Sequence, residues 1–324
     1  MHPTSPDKAS VPANAFRLPS GEDLPRLRRA LLDWHRRNGL QAPWRTSGDP
    51  YLVLVAAVMA QQTQMSRVLP KYDEFVRAFP TVESLAHAPT AKVLRAWEGM
   101  GYNMRALRLH RAAKRIAREG GFPRTAEALA QIDGIGPFTA AIVSSFAYGE
   151  PAAAVDTNVA RVLRRLAGDL DAEMTARAVG GQAERLLSRR APGRWNQAMM
   201  DLGALVCTAR APKCEACPIA RWCRGRRRFG RRAREARVGY RGPARLKAGP
   251  RQQAPFHGSR RYYRGRIVQA LRELPPGESI RVAALRERLA YQDGLDNGSF
   301  RDLLDALARD GLVRIDGRGR VRLP

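Results

Sequence analysis

The sequence predicts a mostly α-helical protein that ends in a small α+β module of winged-helix type. Before position 260 apolar residues recur at helical spacing, and strand-like alternation is almost absent. Beyond position 264, three helical patterns precede LVRIDGRGRVRL, which predicts a two-stranded hairpin turning at positions 316–319. Three helices and a hairpin form a winged-helix pattern. Such a module either contacts DNA or serves only as a packing element, and the pattern does not separate the two.

The individual helices follow from apolar spacing and from residues that favour helix ends. We expect helices over 22–39, 50–64 and 65–79, with PWR at 43–45 breaking the chain after the first. Thr81 and Thr90 each have the side chain of a helix N-cap, just before VESLAHA and AKVLRAWEGM. The run MRALRLHRAAKRIAREG predicts an amphipathic, basic helix closed by two glycines.

The charge balance is strongly positive. The 57 Lys and Arg residues against 30 Asp and Glu give a formal net charge of +27, with a sequence pI near 11.3. A field of this size favours a polyphosphate partner. Codon preference could exchange Lys for Arg, but it does not readily explain the shortage of acids. We therefore expect nucleic-acid binding.

More than half of this charge lies in one segment. Positions 224–266 hold 16 Lys and Arg residues and a single acid, Glu235, among few aliphatic side chains. Such a composition cannot bury a core, so we expect a flexible basic linker over 225–263 that contacts DNA phosphates.

The sequence gives no indication of a membrane segment. No run of 18 or more apolar residues occurs, so no membrane-spanning helix and no membrane partner are expected. MHPTSPDKASVPANAF lacks the basic and apolar regions of a signal peptide, so positions 1–21 read as a disordered leader. We expect a cytoplasmic, nucleoid-associated protein whose thiols stay reduced.

All four cysteines of the chain lie within CTARAPKCEACPIARWC: Cys207, Cys214, Cys217 and Cys223. Reduced thiols this close together indicate a metal site. Zinc sites with four thiolates usually use two separate C-x2-C pairs, and the C-x6-C-x2-C-x5-C spacing contains only one. A compact loop of this kind can wrap a [4Fe–4S] cluster, with one thiolate for each iron. We therefore expect an iron–sulfur cluster, with zinc as the alternative.

The segment LAQIDGIGPFTAAIVSSFAYG predicts two helices joined by a tight turn. Gly134 and Gly136 flank Ile135 in the turn, and Pro137 opens the second helix, a position that proline favours. Bare backbone next to the positive end of a helix dipole can hold a phosphate. Glycines occur in many turns between helices, but a strongly basic chain favours the phosphate interpretation.

A single carboxylate follows this second helix. Asp156 lies between the apolar run AAAV and the helical run TNVARVLRRL. The simplest interpretation is a helix N-cap. A carboxylate beside an anion-binding turn is electrostatically unusual, however, unless it faces a developing cation.

These segments together resemble the helix-hairpin-helix DNA glycosylases that carry an iron–sulfur cluster, the endonuclease III and MutY superfamily. The resemblance covers about residues 22–224 and is strongest to MutY-type adenine glycosylases. Its collinear segments are PYLVLVAAVMAQQTQ, FPTVESLAHAP, LRAWEGMGY, GIGPFTA, VDTNVARVL and NQAMMDLGALVCTARAPKCEACP. The C-terminal segments resemble the tail of shorter members, and we see no clear counterpart of the Nudix-like domain with which longer members read 8-oxoguanine.

The resemblance implies a role for each matching residue. Asp156 corresponds to the catalytic aspartate, and the four cysteines to the cluster ligands. The run Gln61, Gln62 and Thr63 corresponds to the segment that wedges into the duplex near the extruded base. The turn of Gly134, Ile135 and Gly136 corresponds to the phosphate-holding hairpin. Members that also cleave the strand carry a lysine at the position of Phe138, so the resemblance implies no β-lyase activity.

One position departs from the family pattern. MutY-type enzymes carry a glutamate immediately before VM, which protonates the leaving adenine, and this chain carries Ala57 there. Loss of a general acid typically lowers the rate by about 10²–10⁴. Either another acid serves the reaction, or the substrate is a base that leaves without one, or the protein binds lesions with little turnover.

The resemblance therefore implies a monofunctional DNA N-glycosylase that removes adenine mispaired with 8-oxoguanine or guanine from double-stranded DNA. The alternatives are a thymine, uracil or alkylpurine glycosylase on the same fold, or a non-catalytic damage-binding protein. We expect a monomer with a leader at 1–21, a glycosylase domain at 22–224 that contains the [4Fe–4S] loop at 207–223, a linker at 225–263 and a winged-helix-like module at 264–324.

Overall fold

The computed structural model describes residues 18–171, 173–226, 256–293 and 297–324. Most of the predicted leader and of the predicted linker lies outside these residues. Leu18, the first described residue, is buried in a core cluster, so the folded chain begins before the predicted limit at position 21. The helix Arg260–Arg272 likewise begins inside the segment that was predicted to be a linker.

Helices account for nearly all of the regular secondary structure in the described residues, as the sequence predicts. The α-helices are, in chain order, α1 (Asp23–Asn38), α2 (Pro50–Met59), α3 (Met65–Ala78), α4 (Val82–His87), α5 (Thr90–Ala96), α6 (Met104–Arg118), α7 (Ala126–Ala130), α8 (Pro137–Ala147), α9 (Thr157–Ala167), α10 (Ala176–Leu186), α11 (Pro192–Asp201), α12 (Arg260–Arg272), α13 (Val282–Asp293) and α14 (Asn297–Arg309). Short 3₁₀ turns lie at Pro43–Arg45, Cys214–Ala216 and Ala220–Trp222, and α11 continues into a π-helical turn at Leu202–Val206. The strands are β1 (Ile280–Arg281), β2 (Arg314–Ile315) and β3 (Arg320–Arg322).

The chain divides into two compact units. Unit 1 holds the described residues of 18–41 and 149–226, and unit 2 holds those of 42–148 and 256–324. This division differs from the predicted limits at 224 and 264. The chain leaves unit 1 after α1 and returns to it before α9, and the C-terminal module belongs with unit 2.

Unit 1 is built around α1, α9, α10 and α11. Their apolar faces share one buried cluster that includes Leu27, Leu31, Leu163 and Trp195. Its cysteine loop packs on the same cluster through partly buried Cys207, Cys217 and Cys223. The core and the loop therefore form a single packed body.

Unit 2 begins with a helix that is apolar on almost all sides. The Asp49 carboxylate accepts the Tyr51 backbone N–H at 2.8 Å, and Pro50 opens α2, so both start signals act together. This helix ends at Met59, and the prediction that it runs to position 64 is wrong. The polar residues after Met59 form a turn whose carbonyls have partners outside the helix.

The predicted threonine caps differ in outcome. Thr81 caps α4 in a capping box with Ser84, as predicted. Thr90 is instead the first residue of α5, and Pro89 occupies the N-cap position. The proline ring has no oxygen that could accept a backbone N–H, so α5 begins without a side-chain cap.

The C-terminal module has the predicted winged-helix pattern. Helices α12, α13 and α14 enclose a core with a three-stranded antiparallel sheet in the order β1-β3-β2. The hairpin turn is closed by Asp316, whose carboxylate accepts the backbone N–H groups of Arg318 at 3.0 Å and Arg320 at 2.9 Å. The module packs on α5, where Arg95 donates to the Leu274 carbonyl at 2.8 Å.

No described helix is long and apolar enough to cross a membrane.

Candidate functional site

Asp156 begins helix α9 in unit 1. One carboxylate oxygen accepts the Val159 backbone N–H at 2.7 Å, and the other accepts the Asn158 side-chain amide at 3.1 Å. The N-cap interpretation of Asp156 is therefore confirmed, and it is compatible with a chemical role because the carboxylate is only partly buried. The cap holds the carboxylate in one orientation.

The strand-like segment before Asp156 is also fixed. The Asn196 amide, itself buried, accepts the Ala154 N–H at 3.1 Å and donates to the Ala152 carbonyl at 2.9 Å. Glu184 accepts the Ala153 N–H at 2.9 Å. Side chains of α10 and α11 thus hold the backbone that precedes Asp156, and α9 holds the backbone that follows it.

A chain of hydrogen bonds leads from Asp156 to the cysteine loop. The side-chain amide oxygen of Asn158 accepts from the Arg161 guanidinium at 2.8 Å. The same guanidinium donates to the backbone carbonyls of Cys207 at 2.9 Å and Gly203 at 2.7 Å. A planar fork with several donors can bind all three oxygens at once. The carboxylate and the loop that carries the first cysteine are therefore linked through two side chains.

Gly203 leaves room for this chain. A Cβ atom at position 203 would lie 2.8 Å from the Asn158 Cβ and 3.2 Å from the Asn158 backbone. Real Cβ atoms do not approach that closely. The π-helical turn therefore requires glycine where it passes α9.

The four cysteines of unit 1 line one cavity, with Arg165, Lys213 and Arg226 at its wall. Burial raises the pKa of Cys217 to about 12, and it also raises the pKa values of Cys214 and Cys223. Without a bound cation these thiols would stay protonated at neutral pH. Four sulfur donors around one cavity, with cations in its wall, have the chemistry that an iron–sulfur cluster requires: iron holds cysteines as thiolates, and the cations offset the negative charge of the cluster.

Arg165, one turn after Arg161, fastens the start of the cysteine loop. Its guanidinium donates to the Thr208 carbonyl at 2.7 Å, to the Ala209 carbonyl at 2.8 Å and to the Cys207 sulfur at 3.4 Å. Helix α9 therefore has Asp156 at its N-cap and two loop-binding arginines on its following turns.

The hairpin between α7 and α8 in unit 2 has the predicted form. Ile135 is buried, with its N–H donated to the Ile132 carbonyl at 2.9 Å, and Pro137 is the first residue of α8. Gly134 has φ +92°, a conformation that disfavours any side chain, and a Cβ atom there would also lie only 2.9 Å from the Arg108 Cβ. Over Gly136 the space is open, and no side chain caps the N-terminus of α8. An anion can reach this backbone directly.

The glutamine run forms the turn after α2. Gln62 is exposed and has φ +55°, a left-handed conformation that is costly for a residue with a side chain. The Gln61 side chain donates to the Thr139 hydroxyl of α8 at 3.4 Å, so the turn and the hairpin helix are in contact. Ala57 lies one turn earlier on α2 and is partly exposed, unlike its neighbours on both sides.

Arg105 of α6 holds this turn from within the core of unit 2. It is buried, and its guanidinium donates to the carbonyls of Val58 at 3.1 Å and Met59 at 2.9 Å, to the Gln61 carbonyl, and to the Thr63 hydroxyl at 3.1 Å. Burial lowers the Arg105 pKa to about 10, so the group stays charged at neutral pH.

The same guanidinium binds a second turn. Arg105 donates to the carbonyls of Met100 at 2.9 Å and Gly101 at 3.3 Å. The next residue, Tyr102, has φ +44° and an exposed side chain, 49% accessible. Gln62 and Tyr102 are the two non-glycine residues with positive φ in the described part of the chain. Both follow a carbonyl that Arg105 binds.

The sequence predicts roles for Asp156, the cysteines, the hairpin and the glutamine run, but it gives no indication of the contacts made by Arg105, Tyr102, Asn158 and Arg161. The arginines are two among 57 basic residues, and each lies in a helix that reads as an ordinary basic face. Asn158 lies directly within the segment VDTNVARVL, where its position two residues after Asp156 was the available signal. The structure places Asp156 and the cysteines in unit 1, and the hairpin and both turns in unit 2.

Comparison with known proteins gives two family matches. Residues 55–186 match the HhH-GPD superfamily of base excision DNA repair proteins, and residues 207–223 match the iron–sulfur binding domain of endonuclease III. The second match begins and ends at the outer cysteines. The chain therefore carries a [4Fe–4S] cluster, as the sequence predicts.

Relatives extend this similarity over most of the chain. An adenine DNA glycosylase of Mycobacterium tuberculosis is 36% identical over 303 residues, which are 91% of this chain and 92% of that protein. An adenine DNA glycosylase of Homo sapiens is 38% identical over 215 residues, 62% of this chain and 39% of the human protein.

Solved structures share the fold. A thermostable thymine-DNA glycosylase is 27% identical with a TM-score of 0.60, and a trapped endonuclease III–DNA covalent intermediate is 22% identical with a TM-score of 0.53. Each match covers 64% of this chain and 98% of the solved chain.

The cluster can be tested without any activity assay. Anaerobically purified protein should be brown, with broad visible absorbance and both iron and acid-labile sulfide. Cys217→Ser should lose this absorbance, because a serine hydroxyl is a poor iron ligand. A colourless protein that contains zinc would contradict the assignment.

Gly203 can be tested by urea unfolding. Gly203→Ala should lower the free energy of unfolding by about 1–3 kcal/mol, because its methyl group meets Asn158. Gly180→Ala is the matched control in α10, where the added methyl would meet open space and should raise stability by about 0.5–1 kcal/mol. Equal effects of the two substitutions would contradict the close contact.

Proposed function

The chain belongs to the HhH-GPD superfamily of base excision DNA repair proteins and is a DNA N-glycosylase, and from this we propose that it removes adenine mispaired with 8-oxoguanine or guanine. The proposal takes the substrate from relatives named adenine DNA glycosylase that match most of the chain. The observation that carries the chemistry is the orientation of Asp156, whose carboxylate is fixed by its own helix and by Asn158. We further propose that the protein acts as a monomer on nucleoid DNA.

Asp156 supplies the electrostatic part of the reaction. Breaking the bond between the sugar C1′ and the base nitrogen leaves positive charge on the sugar ring, as in other glycoside cleavages. A fixed carboxylate stabilises this oxocarbenium-like sugar without having to reorganise during the step. The departing base takes up a proton, and the water that adds at C1′ gives one up to the solvent, which leaves an abasic site and a neutral free base.

The proposed reaction ends at the abasic site. A glycosylase that also cuts the strand forms an imine between a lysine amine and C1′. The family position for that lysine is Phe138, which lies at the start of α8 and offers no amine. We therefore propose a monofunctional enzyme.

DNA binding uses the backbone and two exposed turns of unit 2. The open backbone at Gly134, Ile135 and Gly136 would hold a phosphate at the N-terminus of α8. Gln61, Gln62 and Thr63 would fill the gap that an extruded base leaves in the duplex. Tyr102 is exposed beside the second turn and would add a stacking surface of the kind that bases favour.

The four cysteines are the proposed ligands of the [4Fe–4S] cluster. When bound, the cluster supplies four iron–sulfur bonds that close the loop into one conformation. The role of the chain's own residues is to transmit that conformation. Arg161 binds both the Cys207 carbonyl and Asn158, so a fixed loop gives a fixed partner for Asp156.

Ala57 supports a second candidate function. Adenine leaves poorly as an anion and needs protonation at a ring nitrogen. The methyl group of Ala57 is not acidic and cannot supply that proton. Mispaired thymine or uracil, or a cationic alkylpurine, leaves more easily without an acid. A likeness to a thymine-DNA glycosylase at 27% identity also favours this candidate.

Single-turnover assays separate the two candidates. Duplexes with A:8-oxoguanine, A:G, T:G and U:G pairs are incubated with protein, and abasic sites are revealed by alkali. We expect cleavage of the adenine duplexes and none of a fully paired control. If the T:G or U:G duplex is cleaved and the A:8-oxoguanine duplex is not, the second candidate replaces the adenine proposal.

Asp156→Asn tests the role of the carboxylate. Asparagine caps helices as well as aspartate does, so the variant should fold and bind DNA normally. Its negative charge is gone, and we expect excision to fall at least roughly a hundredfold. An Asp156→Asn protein as fast as wild type would contradict the assignment.

Ala57→Glu tests the missing acid. If protonation of adenine limits the rate, the added carboxylic acid should raise adenine excision by roughly 10²–10⁴. Ala60→Glu, one turn onward at the C-cap of α2, is a matched control for the added charge. No gain in Ala57→Glu would mean that another group already protonates the base.

A further inference from the structure

The C-terminal module reaches a functional turn of unit 2 through Arg272, near the end of α12. The Arg272 guanidinium donates to the Leu94 carbonyl at 2.9 Å and to the Asn103 side-chain oxygen at 2.9 Å. Both bonds come from one planar fork, so the position of Asn103 is tied to the last turns of α5 and to the module together.

Other contacts of the module act on α5. Arg95 donates to the Leu274 carbonyl, and the Gln269 amide donates to Glu98 at 2.6 Å. The Pro324 carbonyl, at the end of the chain, accepts the Ala91 N–H at 2.9 Å. These contacts place the module on α5 and on Glu98 just after it, while Arg272 extends the contact to Asn103, the N-cap residue of α6.

The use of Asn103 is unusual for its position. It is the N-cap residue of α6, where asparagine ordinarily accepts an N–H of the first helical turn. Asn103 makes no such bond, and its side-chain oxygen accepts from Arg272 instead. The local helix cap is therefore exchanged for a contact with a segment 169 residues away in the chain.

Arg105 connects this turn with the glutamine turn. On one side it binds the carbonyls of Met100 and Gly101, next to Tyr102 and Asn103. On the other side it binds the Gln61 carbonyl and the Thr63 hydroxyl. The path from the module to the glutamine turn consists of hydrogen bonds from charged donors, which are the stronger kind.

Backbone strain lies at the two ends of this path. Gln62 and Tyr102 both have positive φ, and each is exposed. Strained conformations of this type cost about 1–3 kcal/mol each and persist only where surrounding contacts impose them. The contacts that impose them here are those of Arg105, and Arg272 fixes the residue that follows Tyr102.

We propose that the C-terminal module is a positioning element for base extrusion, acting through Arg272 and Asn103 on Tyr102 and, through Arg105, on Gln62. This proposal rests on the proposed function, which assigns both exposed side chains to the DNA duplex. Arg272, Asn103 and Arg105 are positioning residues, since none of them touches substrate in this account. The winged-helix pattern then serves an interaction within the chain.

The test measures base unstacking separately from excision. The probe is a duplex with 2-aminopurine next to the adenine of an A:8-oxoguanine pair, bound in the Asp156→Asn background so that no base is removed. The fluorescence gain on binding reports unstacking, and anisotropy of a labelled duplex reports affinity. Thermal unfolding of each variant monitors the fold.

Arg272→Ala and Asn103→Ala should each reduce the fluorescence gain and, with Asp156 restored, slow single-turnover excision roughly tenfold, as loss of a charged hydrogen bond does. Arg95→Ala is the matched control, because it also removes an arginine that docks the module, but one whose contact joins α5 to Leu274 and does not involve Asn103. It should leave both readouts near wild type. The DNA dissociation constant should change little in all three.

The outcomes distinguish this inference from the proposed function. Equal fluorescence gains in Arg272→Ala and Arg95→Ala, with both folded, would overturn the positioning role even if the wild type excises adenine. A fluorescence gain that depends on Arg272 in a protein that excises no base from any duplex would support the positioning role and overturn the proposed function.

Discussion

The hydrogen bonds of the Asp156 carboxylate are the interaction on which the proposed chemistry depends. One oxygen caps α9 and the other binds Asn158, so the carboxylate cannot turn away from its position without exposing a helix N–H. Asn158 is in turn held by Arg161, which also binds the backbone of the cysteine loop. The cysteine loop is thus connected with the Asp156 carboxylate through the side chains of Arg161 and Asn158.

Unit 2 holds two exposed side chains, Gln62 and Tyr102, in strained backbone conformations. The buried cation Arg105 stabilises both turns. The Arg105 guanidinium collects carbonyls at the end of α2 and in the turn after α5, where the helices leave acceptors without partners. Burying a charge is costly unless its donors are used, and here nearly all are. The same positive charge suits a surface that approaches phosphates.

Sequence reasoning recovered features that depend on local chemistry. The cysteine spacing, the Gly134–Gly136 turn with Pro137, and the Thr81 cap each follow from residues within a few positions of one another. It failed where distant residues decide the outcome. The helix predicted to run to position 64 ends at Met59. There Arg105, more than 40 residues later in the chain, donates hydrogen bonds to the carbonyls that the helix end leaves without N–H partners. The N-cap of α5 is Pro89 and not Thr90 as predicted, and the helix propensities of these two neighbouring residues do not decide which of them takes that position.

The contacts that join elements were likewise not predictable. Arg161 and Arg272 look like any other basic residue in a chain of net charge +27, and only the fold shows that each bridges two acceptors. Ala57 is the reverse case. Its significance is visible in the sequence through the family pattern, whereas the structure shows only a partly exposed methyl group on a buried helix.

The most direct test of the link between the cluster loop and Asp156 is a double-mutant cycle with Asn158→Ala and Arg161→Ala, read as single-turnover excision rates. Two residues that act in one chain lose their effect together, so the double variant should be no slower than the slower single variant. Rate losses that multiply in the double variant would show that Asn158 and Arg161 act independently, and would contradict the coupling of the loop to the carboxylate.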